Sequence, residues 1–375
     1  MLNLSVSWGS DLYSILDESE YSDLVDRIPS ATVFNSWSWV STCYEYLAES
    51  ETARILTVRN AESRLVACVP MVLLREKKFG VVSRVVRLMG YPFTDRYTLL
   101  VDTSTDDSVL NATLSALKAE FGKTWDRMEW NELALDEGLV KSISAWAKQN
   151  NSLEVLQVTS HCPVLPLSGL SRKEIEAQYT SKLRSDLKRR KKKLLEHGEV
   201  EILHYQPAEP EVDEILDQLK RVEDSSWKGA EGIGIFSNAR AFDFFKTVSR
   251  KLAKFKQLDI AEIRIDGALV SYKYGFKYDR VFLDYNIAYL PEYHRLGLGR
   301  LLLNEVILSS SENNYKAVDA SRVGAQSKHL LFERSEETIR HMRWTWYGGT
   351  WRAYYHYVLN FAVKPIAKKI KARYF

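Results

Sequence analysis

VFLDYNIAYLPEYHRLGLGRLLLNEVIL, residues 281–308, passes from a β-prone run through a Pro-containing turn into a loop bracketed by Gly297 and Gly299, and then into a helical run. Glycines let a loop bring backbone N–H groups close to a ligand. The helix predicted to begin near Arg300 points its positive dipole end at the same place. The arrangement suits a pyrophosphate. A dinucleotide-binding fingerprint would need a third glycine near 302, where Leu302 stands, and a P-loop would need Lys then Ser or Thr after its last glycine, where Arg300 and Leu301 stand.

Outward from this stretch, 375 residues exceed the usual single-domain size, which predicts two domains with a core each. A hydrophobic fraction of 45% with 27% charged residues excludes a disordered chain, a collagen-like chain and a coiled-coil rod. No apolar run approaches the roughly 20 residues that cross a bilayer. The start, MLNLSVSWGSDLYSILDESEY, lacks the basic and apolar regions of a secretory signal, so a cytoplasmic location is expected. Cys43, Cys68 and Cys162 form no CxxC pair and predict neither a metal site nor a disulfide framework.

The spacing of apolar residues predicts a helix over 33–48, a hairpin of Ala53–Val58 and Leu65–Leu74, strands Val81–Leu88 and Thr98–Val101, and a helix Ser108–Phe121. The second half repeats the order, with helices Glu211–Asp224 and Ala239–Ala253 and a hairpin of Leu258–Ile265 and Ala268–Lys277 around Asp266-Gly267. This reads as a weak internal duplication, with Ser160–Leu170 crossing between the halves.

The formal net charge is only +3, yet cations concentrate in Lys182–Lys193, KLRSDLKRRKKK, and in Lys364–Arg373. The first lies in a helical pattern whose apolar face is Leu183, Leu187, Leu194 and Leu195. It is either a solvated helix or a face for an anionic partner: a phosphate-bearing acceptor, an anionic membrane surface, or a tRNA. The mild overall charge and the lack of a recognisable nucleic-acid module weigh against nucleic acid. Trp344, Trp346, Trp351, Tyr354, Tyr355 and Tyr357 precede the apolar run Val358–Val363 and a basic end. Such a segment either lies on the inner face of a membrane or is core followed by a solvated tail.

The glycine loop resembles the acyl-CoA loop of the GNAT superfamily, Q/R-x-x-G-x-G/A, with His294, Gly297 and Gly299 in the three fixed places. His294 stands where Gln or Arg is usual, and Arg295 follows it, which shifts the expected phosphate contacts. From Phe34 to about Tyr355 the order FNSWSW, VPMVLL, CPVLPL, SKLRSDLKRRKKKLLEHGEV, SSWKG, FLDYNIAY, glycine loop and DASRVGAQSKHLLF resembles the CelD/BcsL family, a two-unit GNAT group related in architecture to the FemABX peptidoglycan transferases.

The resemblance implies an α/β (α+β) fold of tandem GNAT-like units, each a mixed, largely antiparallel sheet flanked by helices. Residues 1–158 would form a degenerate unit, 159–200 a bridge and basic helix, 201–350 the catalytic unit, and 351–375 an aromatic, basic tail. It also implies an acyl-CoA-dependent N-acyltransferase using acetyl-CoA or a longer acyl-CoA; no metal is expected, and two fused units, able to supply a pseudo-dimer interface internally, predict a monomer. The acceptor would be an amine of an envelope component, either an amino sugar or an amine-bearing lipid such as a long-chain base. A FemABX-like transferase using charged tRNA and a non-catalytic scaffold for polysaccharide synthesis stay open as alternatives.

In GNAT enzymes the amine attacks the thioester directly, so the site needs a base, donors for the carbonyl oxygen and often an acid. The resemblance places the carbonyl donor among the N–H groups of Ala288, Tyr289 and Leu290. It places the diphosphate at Arg295, Leu296, Gly297, Leu298, Gly299 and Arg300. Asp284 is the first candidate base, Asp319 the second and His294 the third, each with a structural acceptor role as the alternative. Trp227, Lys228, Tyr285 and Lys328 are expected at the acceptor. The helix that would carry a Tyr acid reads SKHLLFERSEE and has Phe332 instead. The acid is then Tyr285, Tyr315 or Tyr347, or the thiolate leaves unassisted, its unperturbed pKa being roughly 8.5.

Overall fold

The chain divides into two units, Met1–Ser160 with Arg340–Phe375, and His161–Ile339. The structure is a computed structural model that describes residues 3–47, 51–104, 107–322, 332 and 337–363.

The first unit begins with β1 (Ser5–Gly9), α1 (Leu12–Ile15), α2 (Glu18–Asp26), α3 (Trp37–Glu45), β2 (Thr52–Arg59), β3 (Leu65–Lys78) and β4 (Val81–Leu88). It continues with β5 (Leu100–Val101), α4 (Ser108–Thr124), β6 (Arg127–Ala134) and α5 (Glu137–Gln149). Strands β1 to β4 form an antiparallel meander, β5 adds to β3, and β6 lies parallel to β4 with Val85 opposite Arg127. The helix expected over 33–48 starts only at Trp37, because Ser36 caps it by accepting the Trp39 N–H at 3.2 Å. Residues Val33–Asn35 form a separate 3-10 turn.

The second unit takes over within β7 (Leu153–Pro166), so the expected crossover Ser160–Leu170 is largely strand. There follow α6 (Arg172–Ala177), α7 (Ser181–Leu194), β8 (Val200–Tyr205), α8 (Val212–Ser225), α9 (Trp227–Glu231) and α10 (Ala239–Lys254). Then come β9 (Leu258–Ile265), β10 (Ala268–Tyr278), β11 (Val281–Tyr289), α11 (Leu298–Glu312) and β12 (Ala317–Asp319). Strands β8 to β11 are antiparallel neighbours, β12 is parallel to β11, and β12 pairs antiparallel with β7. Asp266 and Gly267 both have positive φ, 49° and 78°, as a two-residue hairpin turn with the twist of its strands requires.

Each unit therefore runs meander, helix, parallel strand: β2-β3-β4, α4, β6 in the first and β9-β10-β11, α11, β12 in the second. The link 89–107 between β4 and α4 has no Gly-x-Gly, so only the second unit carries the glycine loop.

Residues 340–350, placed by sequence in the second unit, belong to the first. Strand β13 (Thr338–Tyr347) pairs with β6 from His341 opposite Ala134 to Tyr347 opposite Arg127. The driving force is aromatic burial, since Trp344 meets Trp130 at 5.3 Å between ring centroids and Trp346 meets Trp146 at 5.4 Å. The aromatic segment is thereby split. Trp344 and Trp346 are core, while Trp351 and Tyr354 are exposed on α12 (Trp351–Val358), whose His356 is buried against Ser83. Residues 364–375 lie outside the described residues. Among those described, no helix is long and apolar enough to cross a membrane.

Candidate active site

Strand β11 pairs with β12 only from Val281 to Leu283, yet it continues to Tyr289 along β10. The stretch Asp284–Tyr289 thus has β10 on one edge and, among the described residues, no strand paired on the other. Leu290 donates its N–H to Val270 at 2.9 Å, in register with Tyr289 opposite Ser271. In an antiparallel ladder alternate residues point their N–H groups to opposite edges. Ala288 and Leu290 therefore face β10, whereas Ile287 and Tyr289 face the open edge. Of the three carbonyl donors considered, only Tyr289 presents its N–H there.

The glycine loop sits directly on this edge. A Cβ on Gly299 would lie 2.6 Å from Ile287 Cδ1, so glycine lets the loop pack against β11 without displacing the end of that side chain. Gly297 caps α11 with φ +69°, and a Cβ there would lie 2.0 Å from Arg190 Nη1. The N–H groups of Leu298 and Gly299 occupy the first helical positions, ahead of the first intrahelical bonds, and with the helix dipole they favour an anion. The side chains of Leu296 and Leu298 are buried in the apolar core of this unit, leaving only their backbones for a ligand. The fit to a diphosphate therefore rests on the Leu298 and Gly299 N–H groups at the start of α11, the glycines making room for Arg190 and Ile287 to pack against the loop.

Beside the expected Arg300, a second cation at the loop, Arg190, comes from the basic helix and was missed by sequence reasoning. Arg190 of α7 donates through Nη1 to Leu296 O at 3.0 Å and through Nε to Asp186 at 2.8 Å. Arg300 reaches the same Asp186 carboxylate at 2.7 Å. Burial alone would raise the Asp186 pKa, but hydrogen bonds from Arg190, Arg189 and Arg300 outweigh it and hold the carboxyl well below the usual range. One side of the basic helix is thus docked on the loop. The i, i+4 spacing of Asp186 and Arg190 was the only local signal. His294 and Arg295 are exposed, and the His294 ring donates from Nδ1 to Pro291 O at 2.9 Å.

Two charged groups flank the open edge. Asp284, just past the last β11–β12 pair, is ion-paired with the buried Lys273, which stands opposite Ile287. On the other face Lys228 Nζ donates to Asn286 Oδ1, and Asn286 Nδ2 donates to Glu223 at 2.7 Å and to the Tyr272 hydroxyl at 3.1 Å. Burial lowers the Lys228 pKa, which the carboxylates of Glu223 and Asp284 partly offset. Lys228 is thus drawn into the site, while its neighbour Trp227 is half exposed.

Glu223 is fully buried and also accepts the Phe236 N–H at 2.7 Å. The Tyr272 hydroxyl donates to it as well, at 3.3 Å, so replacing it by alanine removes the acceptor of three buried donors, and a loss of about 3 kcal/mol in stability is expected. Urea unfolding checks this, with Glu223→Gln expected to lose less because it keeps an acceptor.

The other candidates lie differently. Asp319 ends β12 opposite Leu283, is buried, and accepts the Ser321 N–H at 2.8 Å, a local turn contact. Tyr285 packs against Phe276 and Phe245, the Tyr315 hydroxyl is committed to Asp259 at 2.6 Å, and Tyr347 belongs to the first unit. Lys328 lies outside the described residues, as does the helix expected at 327–337 apart from Phe332 and Glu337. Among the described residues no group of three or more His, Cys, Asp or Glu could hold a metal ion.

Similar proteins share this architecture. The solved structure of FemX matches with a TM-score of 0.57 and 10% identity, over 88% of this chain and 96% of that one. The C-terminal domain of a putative lysylphosphatidylglycerol synthetase from Agrobacterium fabrum matches with a TM-score of 0.51 and 11% identity, over 91% and 95%. A tandem GNAT protein from the clavulanic acid biosynthesis pathway matches with 0.50 and 12%, over 93% and 99%. At such identities the likeness is one of fold. No curated protein sequence matches the chain. In sequence, residues 181–328, which hold the basic helix, the open edge and the glycine loop, match the acetyltransferase (GNAT) domain family.

Proposed function

We propose that the chain transfers an acyl group from an acyl-CoA thioester to an amine. The observation that carries this reading is the seating of the Gly297–Gly299 loop on Ile287, beside the open stretch Asp284–Tyr289. The diphosphate of the donor would lie on the N–H groups of Leu298 and Gly299, with Arg190 and Arg300 alongside. The thioester would then extend along the open edge with its carbonyl oxygen at the Tyr289 N–H. The amine nitrogen attacks the carbonyl carbon, Asp284 takes the ammonium proton, the C–S bond breaks and the thiolate leaves. Lys273 positions Asp284, and Lys228 with Trp227 lines the acceptor side.

The resemblance of the segment order to the CelD/BcsL family supports an amino sugar or an amine-bearing lipid of the envelope as acceptor; the two fused units support a monomer, and the aromatic, basic C-terminal segment supports action at the inner face of the membrane. The likeness to FemX favours a second reading, aminoacyl transfer from charged tRNA. Thiol release from acetyl-CoA and palmitoyl-CoA, followed with glucosamine and sphinganine as acceptors, decides between them. Release that depends on the amine is expected. Turnover only with charged tRNA would overturn the proposal.

A further inference from the structure

Helix α7 has a second charged side. Asp186 and Arg190 leave it toward the glycine loop, but Arg184, Lys188 and Lys191, spaced at i, i+4 and i+7, leave it toward a groove of about 560 Å³. Arg172 and Lys173 of α6 line the same groove. Its apolar floor is Leu187, Ile202, Leu301 and Leu308, and at one side the Tyr179 hydroxyl donates to Asn304 at 2.7 Å.

Glu305 and Glu176 are the acids of the lining, and Glu305 is engaged by Arg172 at 3.3 Å. Among the described residues, the side chains of Lys173, Arg184, Lys188 and Lys191 have no ion-pair or hydrogen-bond partner. With five cations and two carboxylates the lining carries a net charge of +3 over its apolar floor, more than a single carboxylate would neutralise. The lining fits a multiply charged phosphate ester with an apolar or flat group attached, and the volume lies within the roughly 300–1,000 Å³ of small-molecule sites.

We propose that the groove between α6, α7 and α11 is an anion site separate from the glycine loop, taking a diphosphate or phosphodiester ligand. The site needs no thioester chemistry, so it stands or falls independently of the acyl-transfer reading. The test uses the full chain, with inorganic pyrophosphate and uridine diphosphate as soluble probes and phosphatidylcholine vesicles with or without phosphatidylglycerol as the lipid source. Wild type should bind one class of probe with an affinity that falls as salt rises. The Lys188→Glu, Lys191→Glu double variant should weaken that binding by more than about tenfold while leaving CoA affinity and melting temperature unchanged.

Binding by the soluble probes identifies a free ligand, and binding only by the phosphatidylglycerol vesicles identifies a lipid headgroup. Either outcome supports the site. Failure of wild type to bind any probe would overturn it. So would a parallel loss of CoA affinity in the variant, which would assign the groove to the donor, or a preference for folded tRNA over all the probes.

Discussion

Asp284→Asn is expected to lower kcat for amine acylation by about 10²–10⁴-fold, the range for loss of a positioned general base, with donor affinity unchanged. The substitution keeps the shape of the side chain but removes the negative charge beside Lys273. Because that lysine is buried, the variant also loses stability. The Asp284→Asn, Lys273→Met double variant separates the two effects: stability recovers, since no unpaired ammonium remains, but kcat does not. A double variant that regained turnover would show that the pair serves only the fold. Asp319, whose carboxylate takes the Ser321 N–H, is expected to affect stability more than kcat when replaced by Asn.

Gly297→Val should weaken donor binding by more than about 100-fold, the loss of several charge-assisted and N–H contacts together. Two physical effects combine. A β-branched residue at φ +69° is strained, and the new Cβ would occupy the position of the Arg190 guanidinium. The loop must then rearrange, and Arg190, which holds Leu296 O and Asp186, moves with it. Equilibrium dialysis against CoA measures the loss, and a thermal melt verifies the fold. Wild-type affinity in the folded variant would remove the loop from the donor site.

The glycine loop was legible in sequence because its determinants are local: two glycines, a turn and a helical run within a few residues. The Asp266-Gly267 hairpin was legible for the same reason. The choice of Tyr289 over Ala288 and Leu290 was not, because it depends on the register of β11 against β10. Arg190 and the tie between Arg300 and Asp186 were hidden for a similar reason, as each spans more than a hundred residues of chain. A run of cations in sequence looks like one surface, whereas on α7 it forms a side docked on the loop and a side facing the groove. Trp344 and Trp346 were left open in sequence, between a membrane-facing segment and core. The pairing of β13 with β6, which packs them against Trp130 and Trp146, resolves that choice in favour of core, a long-range pairing that local spacing does not encode.

Calorimetric titration of the full chain with CoA and acetyl-CoA tests the central claim most directly. One saturable site is predicted, lost in a folded Gly297→Glu, Gly299→Glu variant. If neither CoA species binds the folded wild type, the glycine loop is not a donor site and the acyl-CoA reading is wrong.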